Sequence, residues 1–449
     1  MAAIVHDTPH PTQTHHEVTR DVVNTLGTAG RGYLLLLGAA VFLFLIGAVT
    51  FVLLLKDGLG LAGYVPPGYW SVYITTFVFW IGIGHAGTLI SAILFLFRSP
   101  WRTAVYRATE VMTVFAVMTA GLFPIIHIGR QWFFYWLLPY PNQRWLWPNF
   151  KSPLLWDVFA IATYLTVSAT FLCVGLVPDV AAVRDLVRGW RSKVYGIFSL
   201  GWKGTDQQWR HHSRGYLYLA ALATPLVLSV HSVVSWDFAM TIVPGWHGTI
   251  FAPYFVAGAI YSGVGMVLTL IIPLRKALKL EHMITEYHFD NLAKLTLLTG
   301  SILFYAYAME YFIGWYSSNT FEQTTFWRRA FGPSWWGGWT MIICNAFVSQ
   351  LFWFRKVRTN VTTLFVLSIF INIGMWFERY VIIATSLAND FLPYVWGNMH
   401  PTWADWGILA GSFGWFGMWF LLFARTFPVV AIQEIKEQIP MPRLRKGGH

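Results

Sequence analysis

The sequence predicts an all-helical, polytopic protein that crosses a membrane about ten times. Of its 449 residues 56% are hydrophobic and only 11% are charged, and long apolar runs recur along the whole chain. Soluble domains carry about 25% charged residues, whereas a helix that crosses a hydrocarbon core needs roughly 20 apolar residues. Because the runs are unbroken, they favour membrane helices over barrel strands, in which apolar and polar residues alternate.

The apolar runs give ten predicted transmembrane helices, numbered one to ten in chain order. Their approximate bounds are 33–55, 70–97, 104–127, 154–177, 215–239, 252–274, 292–316, 335–354, 361–386 and 406–430.

Basic residues indicate how these helices are oriented. The two terminal tails and the even-numbered loops hold 24 of the 31 Lys and Arg residues, and the remaining loops hold six. Because positive charge marks the cytoplasmic side, both termini are predicted to be cytoplasmic. The net charge of +11 therefore indicates topology and contact with anionic lipid, and it does not require a nucleic-acid partner.

An internal repeat divides the helices into two groups. At a constant offset of 181 residues, five positions of helix two match five of helix six, namely Tyr73, Gly82, Gly84, Leu89 and Ile90 with Tyr254, Gly263, Gly265, Leu270 and Ile271. The offset spans four helices, so both copies run in the same direction. We therefore predict two parallel-repeat four-helix bundles, formed by helices two to five and six to nine and flanked by helices one and ten.

The repeat also suggests a division of the chain. The predicted segments are an N-terminal tail (1–32), peripheral helix one with its loop (33–67), the first bundle with the polar site (68–240), the second bundle (241–386), and helix ten with a basic tail (387–449).

A polar cluster is predicted at the outer end of the first bundle. Helix three ends in His127 and Arg130, and helix four begins near Asp157. Helix five carries His231 and Asp237, which lie on different faces, and Asp237 is nearer the expected depth of Asp157. Ionisable groups are costly in apolar surroundings, so this cluster is the candidate functional site. The alternative is an interfacial ion-pair network that only fixes the helix ends.

The residue types in this cluster suit the oxidation of a quinol. A quinol releases two electrons and two protons, and its hydroxyl groups lie at opposite ends of an apolar ring. A neutral histidine can accept a hydrogen bond and a proton from one hydroxyl, and a carboxylate from the other. Aromatic side chains would hold the ring and its tail, and the candidates are Phe123, Trp132, Phe133 and Trp156.

Further ionisable residues lie within the predicted helices, namely His85, Glu110, Glu310, Glu378 and Arg379. A charge at a helix centre costs roughly 2.5–3.5 kcal/mol. One hypothesis treats these residues as a proton pathway, and the alternative gives them structural roles. Glu110 lies three residues after Arg107 and can pair with it. Glu378 and Arg379 are adjacent in sequence and are expected to point in different directions, so each is predicted to have another partner.

The two cysteines, Cys173 and Cys344, lie alone in separate predicted helices. Without a CxxCH, a CxxC or a four-cysteine set, we expect no metal site, iron-sulfur cluster or covalent haem in this chain. The absence of a P-loop argues against an ATP-driven pump. A redox function would therefore require a partner that holds the redox centres.

Four segments closely resemble NrfD-like, polysulfide-reductase-type membrane subunits. They are HAGTLISAILFLFR (85–98), AGLFPIIHIGR (120–130), LPYPNQ (138–143) and SPLLWDVFAI (152–161). Within that family the sequence is most similar to the ActC subunits of bacterial alternative complex III, and the resemblance covers essentially the whole chain. It implies paired four-helix bundles in a bacterial inner membrane.

The resemblance also implies a function, which is quinol:acceptor oxidoreduction in a respiratory or photosynthetic electron-transfer complex. His127, Asp157 and Asp237 would bind and deprotonate the quinol near the periplasmic face, with Arg130 as a neighbour. Electrons would pass to a 3Fe-4S cluster in a periplasmic iron-sulfur subunit. The expected partners also include a second NrfD-like membrane subunit and multihaem and monohaem cytochrome c subunits, and proton translocation is a possible coupled activity.

Several alternatives remain open. One is the membrane anchor of a polysulfide- or DMSO-reductase-type molybdoenzyme, and another is an anchor without a catalytic role. A secondary transporter would suit the repeat and the buried charges; inverted repeats or broken helices would favour it further, but the repeat here is parallel. A di-haem cytochrome b would need histidine pairs at matched depth. The quinol is either menaquinol or ubiquinol, because both present two oxygens to the same ligands.

Overall fold

The regular structure of the chain is helical throughout the part described by the computed structural model, which comprises residues 14–27, 29–64, 68–138 and 150–439. Within these ranges, nine helices are long and apolar enough to cross a membrane. The chain is therefore a polytopic helical membrane protein, and the predicted fold class is confirmed.

The helices are labelled in chain order. They are α1 (His15–Asn24), α2 (Arg31–Asp57), α3 (Val72–Leu96), α4 (Tyr106–His127), α5 (Pro153–Leu186), α6 (Trp190–Phe198), α7 (Asp206–Ala239), α8 (Phe251–Ala277), α9 (Glu286–Tyr316), α10 (Thr320–Phe331), α11 (Trp335–Met341, continued by further turns to Gln350), α12 (Val361–Thr385), α13 (Trp403–Thr426) and α14 (Ile432–Gln438). The long apolar helices are α2 to α5, α7 to α9, α12 and α13.

The eighth predicted helix forms, but it is shorter than a regular span. α11 consists of consecutive segments of seven, six and three residues, and its middle segment, Ile342–Phe347, is π-helical. At 1.5 Å per residue α11 is about 24 Å long, against a hydrocarbon core of about 30 Å. A 3₁₀ turn, Leu351–Trp353, continues it and makes up the remaining length.

Eight helices form two rings of four. α3, α4, α5 and α7 each pack against the next and close the first bundle, and α8, α9, α11 and α12 close the second bundle in the same order. The bundles meet where α3 lies against α8. At this contact a Cβ on Gly263 would lie 2.7 Å from the carbonyl oxygen of Ile83, and one on Gly82 would lie 3.2 Å from Ser262 Oγ. The two matched glycines therefore allow the close approach of the two helices.

The remaining long helices, α2 and α13, pack against each other beside the first bundle. They approach closely at several glycines, for example where a Cβ on Gly47 would lie 2.5 Å from the Cα of Gly411. α13 also contacts α3 and α4. The first and tenth predicted helices thus flank the first bundle as a pair.

The two ends of the described chain meet at one end of the molecule. Thr14 and Glu17 form a capping box at the start of α1, and α1 packs against α14. Arg425 Nη1 donates to the carbonyl oxygen of Thr25 at 2.8 Å. The two ends therefore lie on the same side, as ten crossings require, because an even number of crossings returns the chain to the side on which it started.

Candidate functional site

A cavity of about 750 Å³ lies in the first bundle, at the end where α4 stops. Residues of α3, α4, α5, α7 and α13 form its wall. His127, Asp157 and Asp237 all line it. The structure therefore brings together, at one cavity, three predicted site residues from three different helices.

Each of these three side chains lies near a helix end. His127 is the last residue of α4, and Gly129, with a φ of 77°, turns the chain away immediately afterwards. A glycine is favoured there because other residues rarely adopt a positive φ. Asp157 lies in the first two turns of α5, and Asp237 lies in the last turn of α7. The helix boundaries therefore set the common depth of the three groups.

Asp157 and Asp237 form a carboxyl pair. Their side chains interact directly, and only 6% and 9% of the two residues is exposed. The Oδ1 atom of each has no hydrogen-bond partner among the residues that the structure describes. Two carboxylates in contact repel each other in an apolar site, so sharing a proton lowers the energy of the pair. The pair can thus exchange a proton and still offer unpaired oxygen atoms to a ligand.

Tyr64 holds His127 in position. Its hydroxyl lies 2.9 Å from His127 Nδ1, and the rings meet edge to face with centroids 5.8 Å apart. Burial raises the pKa of Tyr64, and the nearby Asp405 carboxylate raises it further, so the phenol stays protonated. Because Nδ1 is engaged by Tyr64, Nε2 is the nitrogen left for a ligand.

Asp405 in turn anchors the loop that carries Tyr64. Its Oδ2 accepts from the backbone N–H of Gly63 at 2.9 Å and from that of Thr402 at 2.8 Å. Neither Tyr64 nor Asp405 was predicted from the sequence. Thr402 and Asp405 form a capping box, which is readable as a local pattern, but the contact with Gly63 joins residues 342 positions apart and has no local signal.

The aromatic wall differs from the prediction. The cavity is lined by Trp70, Phe77, Phe134, Phe238 and Trp415, and none of the four predicted aromatic residues is among its lining residues. Phe123 lines a different cavity, Trp132 is exposed, and the indole of Trp156 donates to the carbonyl oxygen of Phe150 at 2.8 Å. Phe133 stacks on a neighbouring tryptophan in the turn after α4. The four predicted residues lie on three segments, namely α4, the turn after it and the start of α5, and the sequence does not show which side of each segment faces the cavity.

Arg130 lies outside the cavity. It follows the turn at Gly129, its side chain is exposed, and it is not among the residues that line the wall. The structure therefore does not bring Arg130 to the other three groups. Most of the motif LPYPNQ falls in residues 139–149, which lie outside the described residues.

A second cavity, of about 520 Å³, adjoins the first and is called the vestibule below. Trp70, Leu154 and Asp237 line both cavities. The vestibule wall also includes Lys151 and Thr241, which give it a more polar character. Asp237 therefore lies between the mainly apolar cavity and the vestibule, whose wall is more polar.

His85 and His231 form a buried pair deeper in the first bundle. Their ring centroids are 4.5 Å apart, and both residues are fully buried. His85 Nδ1 lies 2.7 Å from the carbonyl oxygen of Ile81, whereas neither nitrogen of His231 has a hydrogen-bond partner in the described chain. His231 and Asp237 thus face different surroundings, as their spacing predicted.

Glu378 and Arg379 pair with each other in the second bundle. Arg379 Nη1 lies 2.8 Å from Glu378 Oε1, so the expectation that each needs a different partner was wrong for this contact. Both side chains are long enough to bend towards each other although their Cβ atoms diverge. Tyr307 also donates to Glu378. The Arg379 guanidinium lies 4.3 Å from the ring centroid of Phe255, and that ring is 5.8 Å from the ring of His231.

Glu110 belongs to a separate network at the opposite end of the first bundle. Arg107 Nη1 lies 3.0 Å from Glu110, and Arg107 Nη2 lies 3.1 Å from Asp179. Tyr216 also donates to Glu110, at 3.1 Å. These contacts match the structural alternative for Glu110. Glu310 is buried in α9, and its Oε1 has no hydrogen-bond partner among the described residues.

Fold and site together define a class: a helical integral membrane protein in which a half-buried histidine and a buried carboxyl pair lie at one end of a four-helix bundle. Residues 61–389 match the family model described as "Polysulphide reductase, NrfD". The chain therefore belongs to the NrfD family of membrane proteins, which are of the oxidoreductase class, and the predicted family is confirmed. α2 and α13 lie outside the matched range.

The chain is also similar to a curated protein of Halobacterium salinarum, which is named as a putative membrane subunit of dimethyl sulfoxide reductase. The two sequences are 28% identical over 255 residues. The aligned part covers 56% of this chain and 54% of the relative. The chain thus spans about half the length of the relative that it matches.

Proposed function

We propose that the protein is the quinol-oxidising membrane subunit of a quinol:electron acceptor oxidoreductase. The observation that carries this proposal is the cavity of about 750 Å³, in which His127 and the Asp157–Asp237 pair interrupt a mainly apolar wall. Small-molecule sites typically have volumes of about 300–1,000 Å³ and a few polar groups on an apolar lining. A quinol, which has an apolar ring and two hydroxyl groups, matches that description.

His127 and the carboxyl pair would each take one proton. In the tautomer that donates Nδ1–H to the Tyr64 oxygen, His127 Nε2 has a free lone pair for one quinol hydroxyl. The other hydroxyl would donate to an unpaired Oδ1 of the carboxyl pair. Both O–H bonds break as two electrons leave for an iron-sulfur centre of a partner subunit, and the quinone is the product.

The vestibule offers a route for the protons. Asp237 lines both cavities, so a proton taken up in the apolar cavity can be released into the more polar vestibule without crossing the bundle. The excess of Lys and Arg at the opposite connections supports an orientation with the vestibule outside and both termini in the cytoplasm. We propose a bacterial inner membrane as its location.

Two kinds of complex would use this site. In alternative complex III the electrons would pass through a 3Fe-4S cluster to multihaem and monohaem cytochrome c subunits, beside a second NrfD-like subunit. The name of the relative favours instead a polysulfide- or dimethyl-sulfoxide-reductase type of complex, with a molybdoenzyme as the acceptor subunit. Metal analysis of the purified complex separates the two, since molybdenum indicates the second complex and abundant haem the first.

A coupled proton translocation is a second candidate function. The observation that favours it is the series of side chains from the His85–His231 pair past Phe255 to Arg379 and Glu378. This series joins the two bundles deep inside the protein. Glu110, in its own ion-pair network, is not part of it.

The proposed quinol site is tested with Asp157→Asn in the purified complex. We expect quinol:acceptor turnover to be lost although the complex still assembles, and quinone extracted from the wild type to identify the substrate as menaquinol or ubiquinol. Asp185→Asn is the matched control, because Asp185 lies on the same helix and is exposed. Unchanged turnover in Asp157→Asn would contradict the proposal.

A further inference from the structure

A groove of about 240 Å³ lies beside the first bundle, between α2, α4 and α13. α2 contributes Phe44, Ala48 and Phe51, and α4 contributes Phe123 and Ile126. The lining is apolar except for Ser412 and the indole nitrogen of Trp415. The groove therefore suits a hydrocarbon chain and does not suit a polar ligand.

The hydroxyl of Ser412 is already satisfied by the protein. It accepts from Trp80 Nε1 at 3.0 Å and donates to the carbonyl oxygen of Leu409 at 2.7 Å. Apart from the indole N–H of Trp415, which has no hydrogen-bond partner among the described residues, this wall thus offers a ligand no unsatisfied polar group. Burial of apolar surface would supply its binding energy, at about 25 cal/mol per Å².

The groove is continuous with the cavity that holds His127 and the carboxyl pair. Leu122, Ile125 and Trp415 line both spaces. Leu122 and Ile125 are also among the exposed large apolar residues, so this side of the groove faces lipid. A molecule with a polar ring in the cavity and a long apolar chain could therefore place its chain along the groove.

The groove depends on the way α2 meets α13. The helices are in close contact at Gly47 and Gly411, which both line the groove. The range that matches the NrfD family begins at residue 61 and ends at residue 389, so α2 and α13, which form two of the three walls, lie outside it. The groove is thus built mainly from the part of the chain that the family match does not include.

We propose that this groove binds the polyisoprenoid tail of the quinol whose ring occupies the cavity. This inference rests on the proposed function and adds to it a second binding region, which would make the length of the tail part of substrate recognition. The tail would lie between α2 and α13 on one side and α4 on the other, and it would reach the lipid past Leu122 and Ile125.

The kinetic test uses Ala48→Phe, which places a large ring in the groove at a residue that does not line the cavity. Val49→Phe is the matched control, since Val49 is the next residue and is 60% exposed. Turnover of the purified complex is measured with two quinols, one with a single isoprene unit and one with a full-length tail. We expect Ala48→Phe to raise the KM for the long-tailed quinol about tenfold, a loss of about 1.4 kcal/mol of binding, and to leave the short-tailed quinol unchanged.

Two results would overturn the tail site. If Ala48→Phe affects both quinols equally, the substitution acts on the ring cavity. If it affects neither, the groove is occupied by membrane lipid or is not used. A wild-type complex that oxidises neither quinol would instead contradict the proposed function itself.

A binding measurement tests the groove independently of turnover. A quinone with a photoreactive diazirine on its tail is crosslinked to the wild-type complex, and the labelled peptides are found by mass spectrometry. We expect label at Phe44, Ala48 or Phe51 that unlabelled long-tailed quinone displaces and excess phospholipid does not. Displacement by phospholipid, or equal labelling at Val49, would identify a lipid site and overturn the proposal.

Discussion

The two bundles share one order of helices, yet their corresponding ends differ greatly in open space. The first bundle has a cavity of about 750 Å³ where α4 and α7 end and α5 begins. At the corresponding end of the second bundle, where α11 begins and α12 ends, the cavity lined by Ser334, Tyr380 and Thr385 has a volume of only about 10 Å³. Arg329 occupies this region and donates to Ser386 Oγ at 2.7 Å and to the carbonyl oxygen of Gly245 at 3.1 Å.

The difference lies in whether the unpaired buried polar groups of each bundle line an open cavity. In the second bundle Glu378 contacts Arg379 and Tyr307. Glu310 Oε1 has no hydrogen-bond partner among the described residues, but Glu310 does not line the small cavity at this end. In the first bundle the Oδ1 atoms of Asp157 and Asp237 have no hydrogen-bond partner among the described residues. Buried polar groups without partners are costly. In the first bundle these groups line the cavity, so a ligand bound there can supply the missing hydrogen bonds. A repeated fold can thus carry one binding site and one closed, structural core.

The largest expected effect is on turnover, and it is expected to differ between carboxyl substitutions in the first bundle and in the second. Asp237→Asn should lower quinol turnover by a factor of about 10²–10⁴, the usual contribution of a group that takes a proton. Glu310→Gln, a carboxyl change in the second bundle, should lower turnover far less. Steady-state rates of assembled complexes measure both, and equal losses would show that the bundles are not functionally distinct.

The next effect concerns stability. Glu378→Gln leaves the buried Arg379 without its charged partner, which should cost about 3–5 kcal/mol and lower the thermal unfolding temperature of the complex. Asp157→Asn should leave this temperature unchanged or raise it, because it removes carboxyl repulsion. Thermal unfolding of both variants tests the contrast. If Asp157→Asn is the less stable variant, the carboxyl pair has a structural role.

A smaller effect is expected at Tyr64, which acts through His127. Tyr64→Phe removes one hydrogen bond, which is worth about 1 kcal/mol, so turnover should fall by a factor of about 5. Because the histidine loses the group that fixes its tautomer, the pH dependence of turnover should also shift. Tyr394→Phe serves as control, since Tyr394 is highly exposed. An unchanged pH profile with reduced turnover would indicate only a loss of packing.

The smallest effect on turnover is expected at the contact between the bundles. His231→Phe should leave uncoupled quinol oxidation unchanged, since His231 does not line the cavity. If the buried series from His231 to Glu378 conducts protons, this variant should lower the number of protons moved per electron in proteoliposomes. A proton yield equal to that of the wild type would remove His231 from any such pathway.

Much of the candidate site was readable from the sequence. His127, Asp157 and Asp237 were recognisable because ionisable residues near the ends of apolar runs are rare and costly. Their meeting at one cavity follows from helix boundaries that the apolar runs locate to within a few residues. The aromatic wall was not predictable, because Trp70, Phe77, Phe238 and Trp415 come from segments far apart in the chain and meet only in the tertiary structure.

By itself the sequence determined the membrane class, the helices, the parallel repeat and the family. These depend on composition and on patterns along the chain, because the thickness of the hydrocarbon core sets how long an apolar run must be to form a spanning helix. Only the tertiary structure decided which polar groups are paired, how Asp405 anchors the loop of Tyr64, and that α2 and α13 form a groove beside the cavity. Such features arise from contacts between residues hundreds of positions apart, as the link from Gly63 to Asp405 shows, and no local pattern encodes them.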